Sequence, residues 1–247
     1  MAGGVLAVFA HPDDESLLAG GVLAALAAAG RRVAIVSMTR GERGPGARAG
    51  LGEVRKVELQ AAASALGASA ECLDYPDGEL AGVVDAEGAR MLARLMERER
   101  AETVITFSEE GLYWHPDHLA VSRFLDVALE LVERGPAWVY GATWPQGHAS
   151  RLATQMRARG LATDLWGLEP EAFGAPADTI TTALDVRPFL PAKLAAIRAH
   201  ASQVGHGHLL SALPDDLAEE FLGREYFVRL RPEDAEHDRL AELFASE

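Results

Sequence analysis

A chain of 247 residues with 49% apolar side chains can bury the core of one α/β domain, and residues 1–247 read as a single unit. A net charge of −14 argues against partners held by general attraction, such as nucleic acid or an anionic membrane. The one cysteine, Cys72, allows no intrachain disulfide, no apolar run reaches the length of a membrane span, and no basic leader segment precedes the first apolar run, so a cytoplasmic protein is expected.

Val5–Ala10 is an unbroken apolar run and predicts a buried strand. A helix over Leu17–Ala28 ends at Gly30, and Arg32–Met38 is a second strand. Thr39–Gly52 is a Gly-, Pro- and Arg-rich loop before an amphipathic helix, Glu53–Leu66, closed by Gly67. Glu71–Tyr75 is a strand in which Cys72 reads as a small hydrophobe rather than a nucleophile, and Pro76-Asp77-Gly78 is a turn. Asp85–Glu99 is a helix, Thr103–Ser108 a strand, Pro116–Glu133 a helix with proline in its first turn, and Trp138–Thr143 a strand. The second half is less regular: a basic helix over Ser150–Gly160, an irregular stretch over Leu161–Ala177, a strand over Thr179–Val186 and a helix over Pro188–His200. A loop, Gly205–Leu213, a short helix, Asp215–Leu222, and a strand, Tyr226–Leu230, follow. The alternation of strand and helix predicts an α/β fold, a mainly parallel sheet with helices on both faces.

In such sheets ligands bind beyond the carboxyl ends of the strands. Two unusual clusters fall there: Ala10-His11-Pro12-Asp13-Asp14-Glu15 after the first strand, and His115-Pro116-Asp117-His118 after the fourth. A single His or Asp at a strand end reads as a cap or a surface ion pair. Three acids and a histidine ending an apolar strand do not, because each buried carboxylate must be paired or metal-bound. His11, Asp14 and His118 can supply two nitrogens and an oxygen, leaving one coordination position open, and such mixed ligation favours zinc or a similar metal, Fe²⁺ included, over calcium or magnesium. Asp13, beside a ligand, is the candidate general base. His115, one helical turn before His118, would steady an oxyanion as a cation, and Asp117 would fix the orientation of a histidine.

At these residues the chain resembles the LmbE-like, or PIG-L-like, zinc-dependent N-acetylglucosamine deacetylases, whose two signatures are the Ala-His-Pro-Asp-Asp-Glu and His-Pro-Asp-His strings. The likeness continues in the Arg/Glu helix from Glu53 to Gly67, in Tyr75-Pro-Asp77-Gly78, in the Lys193…His200-Ala-Ser-Gln203 segment and in Arg224-Glu225-Tyr226-Phe227. It implies a Rossmann-like fold and hydrolysis of an acetamido group on a small-molecule N-acetylglucosamine conjugate, such as a low-molecular-weight thiol precursor carrying malate or inositol. It assigns His11, Asp14 and His118 to the metal, Asp13 to proton transfer, and His115 with Asp117 to the transition state. Arg55, which by itself reads as a surface ion-pair partner of Glu53 and Glu58, is implied to contact the aglycone. One departure stands out. Where relatives often have Tyr-Gly-His, this chain has Tyr113-Trp114-His115, so Trp114 is expected to narrow or line the sugar site, and Tyr113 to hydrogen-bond substrate or pack.

Other residues have two readings. Arg40, Arg43 and Arg48 would receive an anionic substrate group or remain solvated, on a loop able to act as a lid. His200 and Gln203 read as structural, His148 as reaching the active edge, and His206 with His208 as exposed loop histidines. Trp138, Trp144 and Trp166 read as core or interface, with sugar stacking by one of them as the alternative, and the Trp and Leu residues of the second half would suit a homo-oligomer. Two other functions compete: a metal-dependent phosphoesterase using the acids and the Arg-rich loop, and a non-catalytic sugar- or nucleotide-binding module. The first strand–helix turn lacks the G-x-G-x-x-G fingerprint that dinucleotide binding requires.

Overall fold

The computed structural model describes residues 3–205, 208–232 and 236–245. In chain order the elements are β1 (Gly4–Phe9), α1 (Asp14–Ala28), β2 (Val33–Thr39), α2 (Leu51–Ala65), β3 (Ser69–Tyr75), α3 (Asp85–Glu99), β4 (Ala101–Phe107) and α4 (Gly111–Trp114). There follow α5 (Pro116–Leu131), β5 (Trp138–Thr143), α6 (His148–Ala158), β6 (Thr182–Asp185), α7 (Leu190–Ala199), α8 (Asp215–Leu222), β7 (Arg224–Arg231) and α9 (Arg239–Ala245). One seven-stranded sheet runs in the order β3-β2-β1-β4-β5-β7-β6. The first five strands are parallel, as their helical crossovers require, whereas β7 runs antiparallel to both β5 and β6. The parallel α/β expectation therefore holds for the first half, and the second half closes the sheet with an antiparallel edge.

β1 and β2 are buried along their whole length, which explains continuous apolar runs instead of alternation. α1 is buried on nearly all sides as well, so it shows no polar stripe. Its small residues admit neighbours: a Cβ on Gly21 would meet Val186 at 2.5 Å. α1 packs against α7 and α9, α2 also packs against α7, and α3 packs against α5. At the centre, Phe9 and Phe107 meet edge to face at 5.1 Å. Phe107, the last residue of β4, also stacks on the His118 ring at 3.9 Å and so joins the core to the mid-chain cluster.

Two helices have no counterpart in the sequence pattern. α4 is one turn with non-helical dihedrals at Leu112 and Tyr113, and α9 lies beyond the last predicted strand. Among the described residues no helix is long and apolar enough to cross a membrane.

Candidate active site

β1 delivers the first cluster. The carbonyl of Ala10 accepts from Thr39 N at 3.0 Å and Thr39 Oγ1 at 2.9 Å, which pins the strand end to β2. His11 N donates to Asp14 Oδ2 at 2.9 Å, tightening the step into α1. α5 delivers the second cluster. His115 is its N-cap, with Nδ1 accepting from Asp117 N at 3.1 Å, and His118 lies in its first turn.

The two clusters converge. His11 Nδ1 is 3.2 Å from His118 Nε2 and 3.6 Å from Asp14 Oδ2, and His118 Nε2 is 3.5 Å from Asp14 Oδ1. The outer nitrogen of each imidazole is engaged. His11 Nε2 faces Asp77 Oδ1 at 3.1 Å and Asp117 Oδ2 at 3.3 Å, and His118 Nδ1 donates to Gly111 O at 2.8 Å. With the outer nitrogens protonated, the inner ones present lone pairs to each other and to a carboxylate. Two groups bring their ligand atoms close enough together for one cation, His11 with His115 and His118, and His11 with Asp77 and Asp117, while Asp14 turns a different carboxylate oxygen toward each inner imidazole nitrogen. Gly111 permits it: its φ is +54°, and a Cβ there would lie 2.9 Å from His118 Cβ.

Electrostatics agree. Burial alone would lower the pKa of His11, but the carboxylates of Asp117, Asp14 and Asp77 outweigh it and hold the ring well above its ordinary value. Burial first, then the charges of His11 and His115, push His118 down to about 3 despite Asp14. Burial would raise Asp14, yet His118, at the low pH where that ring is charged, and then the hydrogen bonds and charge of His11 hold it well below the usual carboxylate range.

Asp13 stands beside them at φ 133° and ψ −27°, a backbone conformation rare for a residue with a Cβ. Burial, with Asp14 and Glu15 adding, raises its carboxyl to about 6, while Arg55 and His200 oppose the rise. Arg55 is buried, not a surface partner of Glu53 and Glu58. Its guanidinium donates to Pro12 O at 2.6 Å and Gly41 O at 2.8 Å and pairs with Asp13 Oδ2 at 3.1 Å. Gly44 makes room for it, since a Cβ there would meet Arg55 Nη1 at 2.4 Å.

Asp117 is fully buried. It accepts from Gly78 N at 2.7 Å and Leu80 N at 3.0 Å, and the histidine it orients is His11. Asp77, from the turn after β3, carries no role in the sequence reading although it touches the same ring; its signals are a position at the carboxyl edge of the sheet and its place in the Tyr75-Pro-Asp77-Gly78 turn of the family likeness. His115 differs from expectation. Burial first, then the charge of His11, lowers its pKa, which favours the neutral ring, and with Nδ1 accepting from Asp117 N the neutral ring carries its proton on Nε2. Its ring lies 4.9 Å from that of His11 and 4.7 Å from that of His118.

A cavity of about 360 Å³ opens over this constellation. Tyr113 lines it beside His115, at 5.6 Å between rings. Burial raises the Tyr113 hydroxyl far above its ordinary pKa, so it stays a proton donor. Trp114 does not line it. With Leu112 at φ +67° and Trp114 at φ +63°, the kinked turn throws the indole outward, where it is 64% exposed. The aromatic wall is supplied instead by Trp166, with Leu112, Ile197 and Leu210 beside it.

In the arginine-rich loop Arg40 is paired with Asp74 and Glu53 and Arg43 with Glu79, while exposed Arg48 donates to the Gly46 carbonyl at 3.3 Å. His200 is more than a helix-end charge, because its Nε2 meets Glu15 Oε1 at 2.8 Å, fully buried. Gln203 lines the cavity too, its amide donating to Pro45 O at 3.3 Å. His148 does not reach the site. It stacks on Phe221 at 4.3 Å and donates to Phe221 O at 3.0 Å in a second cavity of about 320 Å³. His208 is buried against Trp166 and caps a short turn, contrary to the exposed reading; His206 lies outside the described residues. Burial pushes the Cys72 thiol up to about 11, which makes it inert.

An α/β sheet that gathers two imidazoles, a carboxylate and an adjacent raised carboxyl at its carboxyl edge has the donor chemistry of a hydrolase site able to hold a metal ion. The family described as PIG-L, GlcNAc-PI de-N-acetylase, matches residues 6–129, and the chain belongs to it. A 1D-myo-inositol 2-acetamido-2-deoxy-alpha-D-glucopyranoside deacetylase from Acidothermus cellulolyticus is 33% identical over 262 residues, covering 94% of this chain and 90% of the relative. Among solved structures, the conserved protein TT1542 from Thermus thermophilus aligns with a TM-score of 0.61 at 27% identity, over 94% of this chain and 96% of its own. GalB, the 4-carboxy-2-hydroxymuconate hydratase from Pseudomonas putida, aligns at 0.65 and 23% identity over 96% and 100%, so the fold by itself does not fix the reaction.

Proposed function

We propose that this chain is a zinc-dependent deacetylase acting on a neutral N-acetylglucosaminyl conjugate of the inositol type. The observation that carries the reading is the convergence of His11 Nδ1, His118 Nε2 and the Asp14 carboxylate beside Asp13. A divalent cation held by His11, Asp14 and His118 would supply Lewis acidity toward the acetamido carbonyl and would make water more acidic.

The remaining chemistry belongs to the side chains. Asp13 takes a proton from the attacking water as the new C–O bond forms at the carbonyl carbon. It returns that proton to nitrogen as the C–N bond breaks, releasing acetate and a free amine. A carboxyl raised to about 6 suits both transfers near neutral pH. His115, neutral with its proton on Nε2, donates a hydrogen bond to the carbonyl oxygen as charge builds there. Asp117 and Asp77 hold the His11 ring, Arg55 holds the Asp13 carboxylate, and the Tyr113 hydroxyl contacts the sugar.

Two arguments favour a neutral aglycone over malate. Arg55 and Arg43, the arginines of the cavity wall, already face Asp13 and Glu79, so a malate carboxylate would compete with an existing partner at each. The relative named above acts on an inositol conjugate. The test is free-amine release from N-acetylglucosaminyl inositol, N-acetylglucosaminyl malate and N-acetylglucosamine. The reading requires the inositol conjugate to have the highest kcat/KM; a preference for malate overturns the aglycone assignment, and no amine from any of the three overturns the activity.

A further inference from the structure

We propose that His200 is a positioning residue for Asp13 and acts through Glu15; this rests on the reading of Asp13 as the base. The Asp13 backbone sits where residues with a Cβ rarely stay, at φ 133°, so an outside group must hold it there. Glu15 is that group. Its Oε2 accepts the Asp13 N–H at 3.0 Å. Its Oε1 accepts from Ser16 Oγ at 2.5 Å and from His200 Nε2 at 2.8 Å. With one oxygen anchored by His200 and Ser16, the other is fixed in direction and can restrain the Asp13 peptide. Arg55 restrains the opposite end of the same residue, at the carboxylate.

The chain of contacts is dry: Glu15 is 1% exposed and His200 0%. It is also braced. His200 follows directly on α7, whose Lys193 Nζ pairs with Glu225 Oε1 at 2.7 Å. The Glu225 carboxylate in turn accepts the N–H groups of Gly21 and Val22, within α1, at 2.7 and 2.8 Å. α7 is thereby tied to α1 at two points, and the His200 ring has a fixed seat against the start of the helix that follows Asp13 and carries Asp14.

A base displaced by about 1 Å loses on the order of 100-fold in rate even when substrate binds normally. The experiment measures kcat, KM, bound metal and Tm for His200→Ala, His200→Gln and Glu15→Gln, each with Asp13 intact and with Asp13→Asn, using N-acetylglucosaminyl inositol as probe. His200→Ala is expected to lower kcat about 100-fold, with KM within about threefold of wild type and metal content unchanged. His200→Gln, whose amide N–H reaches Glu15, is expected to recover about tenfold of that loss. In the Asp13→Asn background, His200→Ala is expected to cost less than about twofold more, because its effect runs through the missing carboxylate.

A folded, metal-loaded His200→Ala with near-wild-type kcat overturns the proposal, as does the same penalty with and without Asp13. If His200→Ala does not fold, Glu15→Gln decides, since one amide oxygen cannot serve both Asp13 N–H and His200; unchanged kcat there is equally fatal. If Asp13→Asn turnover falls below detection, the kcat-against-KM split and the rescue by glutamine decide alone. Asp13→Asn with wild-type kcat removes the base assignment itself, whereas an inactive Asp13→Asn beside unaffected His200 variants removes only the positioning role.

Discussion

β1 and β4 deliver the donors of the site within a dozen residues of their ends, whereas α7 and β7 reach the start and the middle of α1 only through side chains that cross from the far end of the sequence. The parallel half supplies chemistry: His11, Asp13 and Asp14 after β1, Asp77 after β3, His115 and His118 after β4. The antiparallel end supplies restraint: Lys193, His200 and Glu225, all buried. The chemical groups fall in short strings at strand ends, and the groups that hold them are single residues whose partners lie up to 185 positions away.

That division can be broken at the restraining end first. Lys193→Met leaves the Glu225 carboxylate buried without its cation, and a loss of about 3–5 kcal/mol in unfolding free energy is expected from denaturant titration. A stability change near zero would show that the backbone N–H groups of Gly21 and Val22 suffice to hold Glu225.

The next effect is a pH dependence outside the site. Burial first lowers His148 to about 4, so the folded state requires a neutral ring while the unfolded chain takes up a proton near the ordinary value of 6.5. The unfolded state thus binds more protons between these values. Stability should fall as pH drops from about 6.5 and stop falling, for this group, below about 4, by roughly 3 kcal/mol in all. His148→Gln, which can still donate to Phe221 O, should flatten that part of the pH–stability curve with little change in activity. An unchanged slope would move the acid sensitivity to other groups.

Within the chemical half, Asp117→Asn removes the charge behind His11 and should weaken metal affinity about 10–100-fold, read by competition with a chelator. Unchanged affinity would assign the orientation of His11 to Asp77 alone. The smallest effect belongs to the exposed residue between the two signatures. Trp114→Gly suits the local φ of +63° and removes an indole that touches no part of the cavity, so kcat/KM should stay within about twofold and stability within about 1 kcal/mol. A tenfold change in KM would put the indole back in the substrate path.

The same division explains what the sequence lets a reader see. β1, β2 and β4 stand out as apolar runs because both their faces are buried, and the two signatures stand out because acids and histidines at the ends of such runs have no packing purpose. The direction of β7 is not legible, since it follows from where α7 and α8 leave the chain and not from the residues of the strand. α4 is invisible to periodicity because its dihedrals are not helical, and the outward turn of Trp114 goes with it. Asp77, Glu15 and His200 escape assignment for a common reason. Each matters through one long-range partner, and no local pattern says which turn meets His11 or which helix end meets Glu15. Arg55 is misread without the family likeness because a helical spacing to Glu53 and Glu58 says nothing of burial.

Everything proposed for the site requires that residues from two distant strand ends share one catalytic cation. Elemental analysis of the purified wild-type chain and of His118→Ala, alongside acetate release, puts that requirement to the test. About one equivalent of metal is expected in the wild type, with loss of both metal and turnover in the variant. A His118→Ala protein that keeps its full metal content and its full rate of acetate release would contradict the shared-cation site.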